Sequence, residues 1–330
     1  MLFRSQITVI GAGVIGLTTA ITLQERGHRV RVVAAATGAG ITSSVAGAIW
    51  FPFWAEPRER GSKWASVTRL WLTGLARADA RAGVDMLRML ELDDQDRVPW
   101  WGAEIEDLVL TRATDRGVDA SVWNGAPFGW RFAAPRVDPR HHLPWLESCL
   151  RAPVERLAIA SLREAIERGP TRPDIVVNCT GLASRTLLQD SAIRPLFGQV
   201  VVCAPGTFDP GSSMADERDP KAVFYVIPRR DEVIVGGCTA EWDGPVADGT
   251  LPAPDPNLTE VLLSRAARYG VVPRGILRVV AGLRPYRTTV RVERDAGDPR
   301  IIHNYGHGGS GYTIARGCAE EVAGMVERGA

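Results

Sequence analysis

The sequence feature that most constrains the fold is a glycine motif near the start of the chain. Gly11, Gly13 and Gly16 follow a short apolar run and precede a stretch with helical periodicity. Glycines at this spacing allow a tight turn from strand to helix, and they leave N–H groups at the helix start open to a pyrophosphate. The motif therefore predicts a dinucleotide-binding turn, although it does not by itself distinguish NAD from FAD.

The flanking segments predict a βαβ unit. Residues 6–10 fit a buried strand, residues 14–26 a helix that Gly27 ends, and residues 29–33 a second strand. An acidic residue usually follows the second strand and holds the ribose hydroxyls, but residues 34–36 are all alanine here. The missing acid weakens the case for an NAD enzyme.

Composition and charge exclude several classes of protein. With 330 residues, 45% of them hydrophobic, the chain can bury the cores of about two interleaved domains. A net charge of +1 gives no electrostatic reason to expect nucleic acid or a membrane surface as partner. The five cysteines (Cys149, Cys179, Cys203, Cys238, Cys318) lie far apart, so we expect no disulfide framework and no metal site. Glycines interrupt the apolar residues 7–23, so we expect no signal peptide or membrane span, and a cytoplasmic protein.

The middle of the chain predicts a second domain inserted into the first. Residues 50–145 are rich in tryptophan and proline, with a helix expected at 63–90 and strands at 105–110 and 129–132. Residues 174–178 then predict a return to the nucleotide-binding sheet, which the chain leaves again at residues 198–202. For the remainder we expect a helix at 257–269 with Asn257 as its N-cap, strands at 276–283 and 301–304, and a closing helix at 313–328. Two loops rich in proline, glycine and aspartate, residues 205–220 and 243–256, are candidate lids or plain connections.

Several short motifs follow one another further along the chain. Three hydroxyl residues at 42–44 precede small residues that would let a flat ring approach the backbone. The segments 178–185 (NCTGLASR), 198–199 (GQ), 225–229 (YVIPR), 282–285 (GLRP) and 303–313 (HNYGHGGSGYT) follow. Together these motifs resemble the D-amino-acid oxidase family, over residues 7 to about 319. The run 303–313 with the following Gly317, Cys318 and Ala319 is the most specific part.

The resemblance implies an FAD-dependent enzyme of bacterial type with the fold shared by glycine oxidase. In fold class this is α/β, with a Rossmann-type FAD-binding domain interleaved with a substrate domain on a mostly antiparallel sheet. We expect residues 1–50, 138–195 and 286–330 in the FAD-binding domain, and residues 51–137 and 196–285 in the substrate domain. The implied reaction is oxidation of a D-amino acid by hydride transfer to the flavin, with O₂ as the final acceptor and H₂O₂ as a product. A homodimer is one assembly that is open to this chain.

Site residues follow by matching positions. Arg284 matches the arginine that pairs with the substrate carboxylate, and its guanidinium fork suits two oxygens at once. Tyr225 matches the tyrosine that hydrogen-bonds the same carboxylate, and the Gly309 carbonyl matches the acceptor for the amine. Alternatively, Arg284 could be a surface arginine in a salt bridge, and Tyr225 could be a tyrosine of the core. Ile49, Phe51 and Ile227 match positions in the pocket wall.

The resemblance also implies a set of cofactor-binding residues, drawn from all parts of the chain. They are Gly11, Ala12, Gly13, Val14, Ile15, Gly16, Ala35, Ala36, Thr42, Ser43, Ser44, Gly47, Ala48, Ile49, Ile159, Gly181, Arg284, Gly308, Gly309, Ser310, Gly311, Tyr312 and Thr313. The residues 308–311 precede the last helix, so their N–H groups and the helix dipole would face the flavin carbonyl edge. We interpret His303 and His307 as structural residues that tie this loop together.

The sequence departs from the family at several pocket positions. Lys221 stands where animal members carry a second active-site tyrosine, Phe51 replaces a polar residue, and Ser310 replaces an aromatic one. The preferred amine therefore stays open between a D-amino acid and glycine, sarcosine or a cyclic imino acid. A D-aspartate preference would require a further cation, from Lys221 or Arg229. A flavin dehydrogenase with another electron acceptor is the rival from a different class.

Overall fold

The computed structural model describes residues 5–118, 120–167, 172–237, 240–246 and 251–329. Within these ranges the strands are β1 (Gln6–Ile10), β2 (Arg29–Ala34), β3 (Val84–Asp93), β4 (Val109–Arg112), β5 (Phe128–Val137), β6 (Glu155–Arg156), β7 (Ile175–Asn178), β8 (Arg194–Cys203), β9 (Ser212–Asp216), β10 (Phe224–Pro228), β11 (Val233–Gly236), β12 (Ala240–Glu241), β13 (Ile276–Arg294) and β14 (Ile301–His307). The helices are α1 (Val14–Glu25), α2 (Arg58–Ala78), α3 (Pro139–Ser148), α4 (Leu162–Glu167), α5 (Ser184–Leu187), α6 (Pro256–Arg268) and α7 (Gly311–Arg328).

One part of the structure is a parallel sheet with helices packed on it. Its strands lie in the order β6, β2, β1, β7, β14, and each neighbouring pair is parallel. The chain reaches these positions through crossovers, and α1 provides the first of them, from β1 to β2. All residues of β1 and β7 except Gln6 are buried, as expected for parallel strands covered on both faces. This part confirms the predicted Rossmann-type unit.

The other part is a mostly antiparallel sheet. Strands β8, β11, β10 and β9 are antiparallel in that order, β3 joins β9 in parallel, and β5 and β4 complete the edge as antiparallel strands. The long strand β13 links the two parts, because its first half pairs with β8 and its second half with β14. The predicted fold class is confirmed, and a single continuous sheet carries both parts.

Three predicted elements differ from the observed ones. The helix expected at residues 63–90 ends at Ala78, because Gly83 turns the chain with φ +64° and β3 then pairs along its whole length with β5. The strand expected at 105–110 is mostly turn, and pairing with β5 begins at Val109. Asp255, not Asn257, caps α6, since its carboxylate accepts the N–H groups of Asn257 and Leu258.

The two candidate lid loops have different structures. The segment 205–220 contains β9, a strand inside the antiparallel sheet, so it is more than a lid. The segment 243–256 lies partly outside the described residues, but Val246, Leu251 and Pro252 line a large cavity. Cys238 and residues 247–250 lie outside the described ranges. No helix in the described part of the chain has the length and apolar character that crossing a membrane requires.

Candidate active site

A cavity of about 610 Å³ is lined by residues from both parts of the sheet. This volume falls in the range of sites that enclose cofactors and small substrates. The predicted site residues that line it are Gly11, Ala12, Gly13, Val14, Ile15, Ala35, Ala36, Thr42, Ser43, Gly47, Ala48, Ile49, Phe51, Ile159, Gly181, Tyr225, Ile227, Arg284, Gly308, Gly309, Gly311 and Tyr312. Segments far apart in the sequence therefore meet around one space, as the resemblance implies.

The glycine turn after β1 forms one end of this cavity. Gly11 has φ +112° and donates its N–H to the Val33 carbonyl at 2.8 Å, and a Cβ at this position would overlap the Cys179 carbonyl oxygen. Both conditions require glycine. Val14, the first residue of α1, donates its N–H to the Ser43 hydroxyl at 3.1 Å. The first turn of α1 carries no acidic side chain, so its positive end suits an anion.

Small and apolar residues continue this end of the cavity beyond β2. Ala34 to Ala36 face the segment 157–160, in which the Leu157 N–H donates to the Ala34 carbonyl at 2.9 Å. No aspartate or glutamate of the described chain lines the cavity here. Backbone groups would thus hold the adenosine ribose, as the missing acid predicts.

At the other end, Arg284 lies across a glycine of the neighbouring strand. Its register partner on β8 is Leu196, and its Nη1 donates to the Phe197 carbonyl at 3.2 Å. A Cβ on Gly198 would overlap the guanidinium, so the bare backbone of Gly198 provides the surface on which this group rests. Arg284 is half-buried and lines the cavity. The alternative of a surface arginine does not fit this position.

Tyr225 lies on a second glycine in the same way. It pairs with Gly236 across β10 and β11, and a Cβ on Gly236 would lie 2.5 Å from the Tyr225 Cζ and hydroxyl oxygen. The hydroxyl also lies 3.5 Å from where a Cβ on Gly47 would be. The phenol ring therefore lies over Gly236 of β11, and its hydroxyl is close to Gly47. It is a cavity residue rather than a core tyrosine.

The turn before α7 brings Gly309 next to Arg284. Gly308 has φ +54°, and a Cβ on Gly309 would lie 3.7 Å from the Arg284 Cδ and 3.0 Å from the Phe53 ring. The first turn of α7 contains no acidic residue. N–H groups and a helix N-terminus thus meet the cavity beside the arginine, an arrangement that stabilises negative charge.

Four of the predicted cofactor residues lie behind the cavity wall. Gly16 packs against the Gly11 carbonyl, and Ser44 donates to the Ile41 carbonyl at 2.7 Å. The buried Ser310 hydroxyl donates to the Phe53 carbonyl. Thr313 Oγ1 accepts the Phe51 N–H at 3.1 Å and donates to the Phe51 carbonyl at 2.8 Å. These contacts fix the shape of the wall, and Ser310 and Thr313 contribute by holding the segment 51–53.

The two histidines of the terminal run bind other protein groups. His303 is fully buried, with Nε2 2.9 Å from Asp295 Oδ2 and Nδ1 3.3 Å from the Asn178 amide. His307 lies 3.1 Å from the Asn304 side-chain oxygen, and burial lowers its pKa to about 3. A histidine with that pKa is neutral at physiological pH. These contacts agree with a structural role for both.

Neither of the two candidate cations for an acidic substrate lines the cavity. Lys221 is exposed, and its backbone N–H binds Asp219. Arg229 is buried in an ion pair with Glu232 at 2.9 Å and donates to the Gly47 carbonyl at 3.2 Å. The structure therefore corrects the suggestion that one of them binds a substrate carboxylate, because Arg229 is committed to protein groups and Lys221 lies outside.

Sequence reasoning missed three residues of this site. Gly198 belongs to a sequence motif that does not reveal its role, Gly236 belongs to none of the motifs, and Glu217 lies in a segment whose composition predicts a loop. Among the described residues that line the cavity, Glu217 is the only aspartate or glutamate and Arg284 the only arginine or lysine. The paired glycines after the apolar residues 233–235 are a signal that could have drawn attention to Gly236.

The cavity fits the FAD that the resemblance implies. One end has the glycine turn and a helix N-terminus without competing acids, which would hold the pyrophosphate. The middle is bordered by residues 42, 43 and 45–48, and the far end by the start of α7. Thr42 Oγ1 donates to the Leu283 carbonyl at 3.0 Å and so fixes residues 42–45 against β13.

Comparison with known proteins agrees with this geometry. A family model described as FAD dependent oxidoreductase (DAO) matches residues 6–325. A D-amino-acid oxidase of Rubrobacter xylanophilus is 36% identical, with 98% of this chain and 96% of that protein covered. One from Streptomyces coelicolor is also 36% identical, with 96% and 95% covered. A solved glycine oxidase from Bacillus cereus has the same fold, with a TM-score of 0.77 at 18% identity over 98% of each chain. The chain belongs to the DAO family of FAD-dependent oxidoreductases.

Proposed function

We propose that this protein is an FAD-dependent D-amino-acid oxidase, which converts its substrate to a 2-oxo acid and ammonia and reduces O₂ to H₂O₂. The observation that carries the proposal is the meeting of Arg284 and Tyr225 in the same cavity as the dinucleotide turn. A carboxylate-binding pair beside a flavin site is what oxidation of an amino acid requires. The two relatives from Rubrobacter xylanophilus and Streptomyces coelicolor bear the name of this activity.

Each site residue has a separate task in binding. Arg284 forms two charge-assisted hydrogen bonds with the substrate carboxylate, and the Tyr225 hydroxyl donates a third. The Gly309 carbonyl accepts a hydrogen bond from the amine. Ile49, Phe51 and Ile227 exclude water and hold Cα in position.

The protein's contribution to chemistry is orientation. Bound FAD would supply the acceptor for the hydride that leaves Cα, and the electrons then pass to O₂. The amine must be neutral for this step, and Gly309 selects its lone-pair direction through the hydrogen bond. Neither His303 nor His307 acts as a base in this proposal, since both bind protein groups. The imino acid product is hydrolysed by water to the 2-oxo acid and ammonia.

In this proposal one domain binds the cofactor and the other binds the substrate. Residues 1–50, 138–195 and 286–330 hold the cofactor, and residues 51–137 and 196–285 present the substrate. Arg284 comes from the second group and Gly309 from the first, and they are neighbours in space. The reacting centre then lies where the two groups meet.

A steady-state assay tests the proposed function. The purified, FAD-loaded protein is supplied with a broad panel of D-amino acids and the matching L-enantiomers, and H₂O₂ and ammonia are measured. We expect both products in equal amounts with D-enantiomers and neither with L-enantiomers. Absence of both products across the whole D panel, with FAD still bound, would contradict the proposal.

A flavin dehydrogenase is the second candidate, and the same experiment separates it. A dehydrogenase would reduce an added dye at the expense of a D-amino acid while releasing little H₂O₂. Glycine, sarcosine and a cyclic imino acid belong in the panel, because the sequence left them open as substrates. A higher kcat/KM for one of these than for every chiral D-amino acid would replace the proposed substrate class.

A further inference from the structure

Glu217 is an acidic residue on the cavity wall whose side chain has no counter-charge among the described residues. It directly follows β9 and lines the cavity. The structure gives its carboxyl no hydrogen bond and no salt bridge to any described residue. The neighbouring Arg218 is not available to it, since that guanidinium binds Asp216 at 2.7 Å and Asp94 at 3.1 Å. A desolvated carboxyl without a partner is costly, and one that faces a cavity is a candidate ligand-binding group.

The register of the sheet places Glu217 along the path of a substrate side chain. Glu91, Ala215 and Tyr225 are register neighbours on β3, β9 and β10 and so project from the same face. Neighbouring strands lie about 4.8 Å apart, so the backbone of Glu91 lies roughly 10 Å from the backbone of Tyr225 across the sheet. Glu217, two residues after Ala215, extends from this face. The small Ala215 leaves open space between the carboxylate-binding tyrosine and the two acids.

A second acid, Glu91, lies in the same region of the sheet. Glu91 Oε2 is buried without a hydrogen-bond partner in the described structure. Burial raises the pKa of Glu91 to about 8, and burial together with the nearby Glu91 and Asp216 raises the pKa of Glu217 well above its usual range. Asp216 is already neutralised by Arg218 and the Tyr269 hydroxyl. Glu217 and Glu91 thus lack the cation that would satisfy them, and a bound cation would favour their ionised forms.

We propose that the cavity selects D-amino acids with a cationic side chain, an ammonium or guanidinium group, and that Glu217 is the residue that binds this group. The proposal rests on the proposed function, because Arg284 and Tyr225 fix the carboxylate end of the same molecule. The substrate then lies with its carboxylate on Arg284, Cα beside Gly309 and its side chain over Ala215. Its positive end reaches Glu217, with Glu91 adding to the attraction.

The substrate test uses a matched pair that differs in a single charged group. D-lysine and D-norleucine have the same carbon chain, and at pH 8 D-lysine carries the ε-ammonium. We expect kcat/KM of the FAD-loaded wild-type protein to be at least about tenfold higher for D-lysine than for D-norleucine. A ratio at or below one, with D-norleucine turned over, would overturn the inference and leave the proposed function standing.

Variants assign the preference to Glu217. The E217Q substitution keeps the shape and removes the charge, and we expect it to lower the ratio of D-lysine to D-norleucine kcat/KM about tenfold or more. E217D should keep part of the preference, which provides a second variant if E217Q folds poorly. Glu260→Gln, at an exposed position on α6 outside the cavity, is the matched control and should leave the ratio unchanged. An E217Q ratio equal to that of the wild type would contradict the role of Glu217.

A binding measurement keeps the inference testable if turnover fails. Perturbation of the flavin spectrum gives the Kd of 6-aminohexanoate, which has the lysine framework without the α-amine, and of hexanoate. We expect 6-aminohexanoate to bind at least about tenfold more tightly, and E217Q to remove the difference. Failure of every amino acid to react would reject the proposed function, while this ratio still decides the charge preference. Equal affinities for 6-aminohexanoate and hexanoate would overturn the proposed preference for a cationic side chain.

Discussion

The two ends of the cavity use glycine for opposite purposes. At the nucleotide end, Gly11 and Gly16 let backbone segments pack against each other, and the surfaces offered to the ligand are N–H groups. At the substrate end, Gly198 and Gly236 make room for the side chains of Arg284 and Tyr225, which lie across them. We propose that one end recognises its ligand through backbone, and the other through two side chains placed on bare backbone.

This difference predicts how each end responds to change. A backbone site depends on local conformation, so many side-chain replacements around it should be tolerated, whereas an added methyl at the turn should not. A side-chain site loses its function with a single group. The nucleotide end therefore sets whether the cofactor binds, and the substrate end sets which molecule reacts.

Arg284→Met should have the largest effect on catalysis. Removing the partner of a desolvated carboxylate costs about 3–4 kcal/mol, so we expect kcat/KM to fall roughly 10²- to 10³-fold, mostly through KM. FAD should stay bound, as its absorbance will report. Arg278→Met on the same strand is the control, because Arg278 binds Glu232 and does not line the cavity. An unchanged KM in Arg284→Met would reject the assigned role.

Gly11→Ala should act on the cofactor instead. The new methyl group would overlap the Cys179 carbonyl at a φ of +112°, and this strain costs about 2–3 kcal/mol. We expect weaker FAD binding, measured by titration of the apoprotein, and a lower Tm. Gly74→Ala in α2 is the matched control, since its Cβ meets nothing within 4 Å and should stabilise the protein by up to about 1 kcal/mol. Equal FAD affinity in Gly11→Ala and wild type would contradict the backbone account.

Tyr225→Phe should have a smaller effect than Arg284→Met. It removes one hydrogen bond to a charged group, worth about 1.5–2 kcal/mol, so we expect kcat/KM to fall roughly tenfold to thirtyfold. The ring keeps its place on Gly236. The measurement is kcat/KM for one D-amino acid in both variants, and a loss in Tyr225→Phe as large as in Arg284→Met would show that the arginine is not the main carboxylate ligand.

Thr313→Val should change catalysis least. Its hydroxyl binds the Phe51 N–H and carbonyl and does not line the cavity, so the loss should appear in stability. Leaving the buried Phe51 N–H without a partner costs about 1–3 kcal/mol of unfolding free energy, measured by denaturant titration. FAD affinity should change less than about tenfold. A large loss of FAD with unchanged stability would instead make Thr313 a direct cofactor ligand.

The elements predicted from sequence are those that local patterns determine. The β1–α1–β2 unit and the terminal helix follow from periodicity and glycine positions within a few residues. The predicted helix at 63–90 includes the first part of β3, because Met, Leu and Arg in residues 84–90 favour helices, whereas pairing with β5 and β9 makes this part a strand. Such pairing joins residues far apart in the chain and leaves little local signal.

The site residues likewise divide into those that local motifs indicate and those that depend on strand pairing. Arg284, Tyr225 and Gly309 were predicted from compact motifs that resemble those of the family, and the structure places all three on one cavity. The glycines beneath two of them, and Glu217, depend on register between strands that sequence does not give. Thr313 and Ser310 were placed on the cofactor because they belong to a motif, yet their hydroxyls bind residues 51 and 53. A motif locates a segment, and the direction of each side chain depends on the fold.

Anaerobic mixing of the FAD-loaded protein with single D-amino acids tests the central claim most directly. The visible flavin absorbance reports reduction without interference from O₂. We predict that D-amino acids bleach it within the time of a turnover, that their L-enantiomers do not, and that Arg284→Met requires a much higher substrate concentration for the same rate. Unchanged absorbance with every D-amino acid, including D-lysine and D-alanine, in protein that retains FAD would contradict the account.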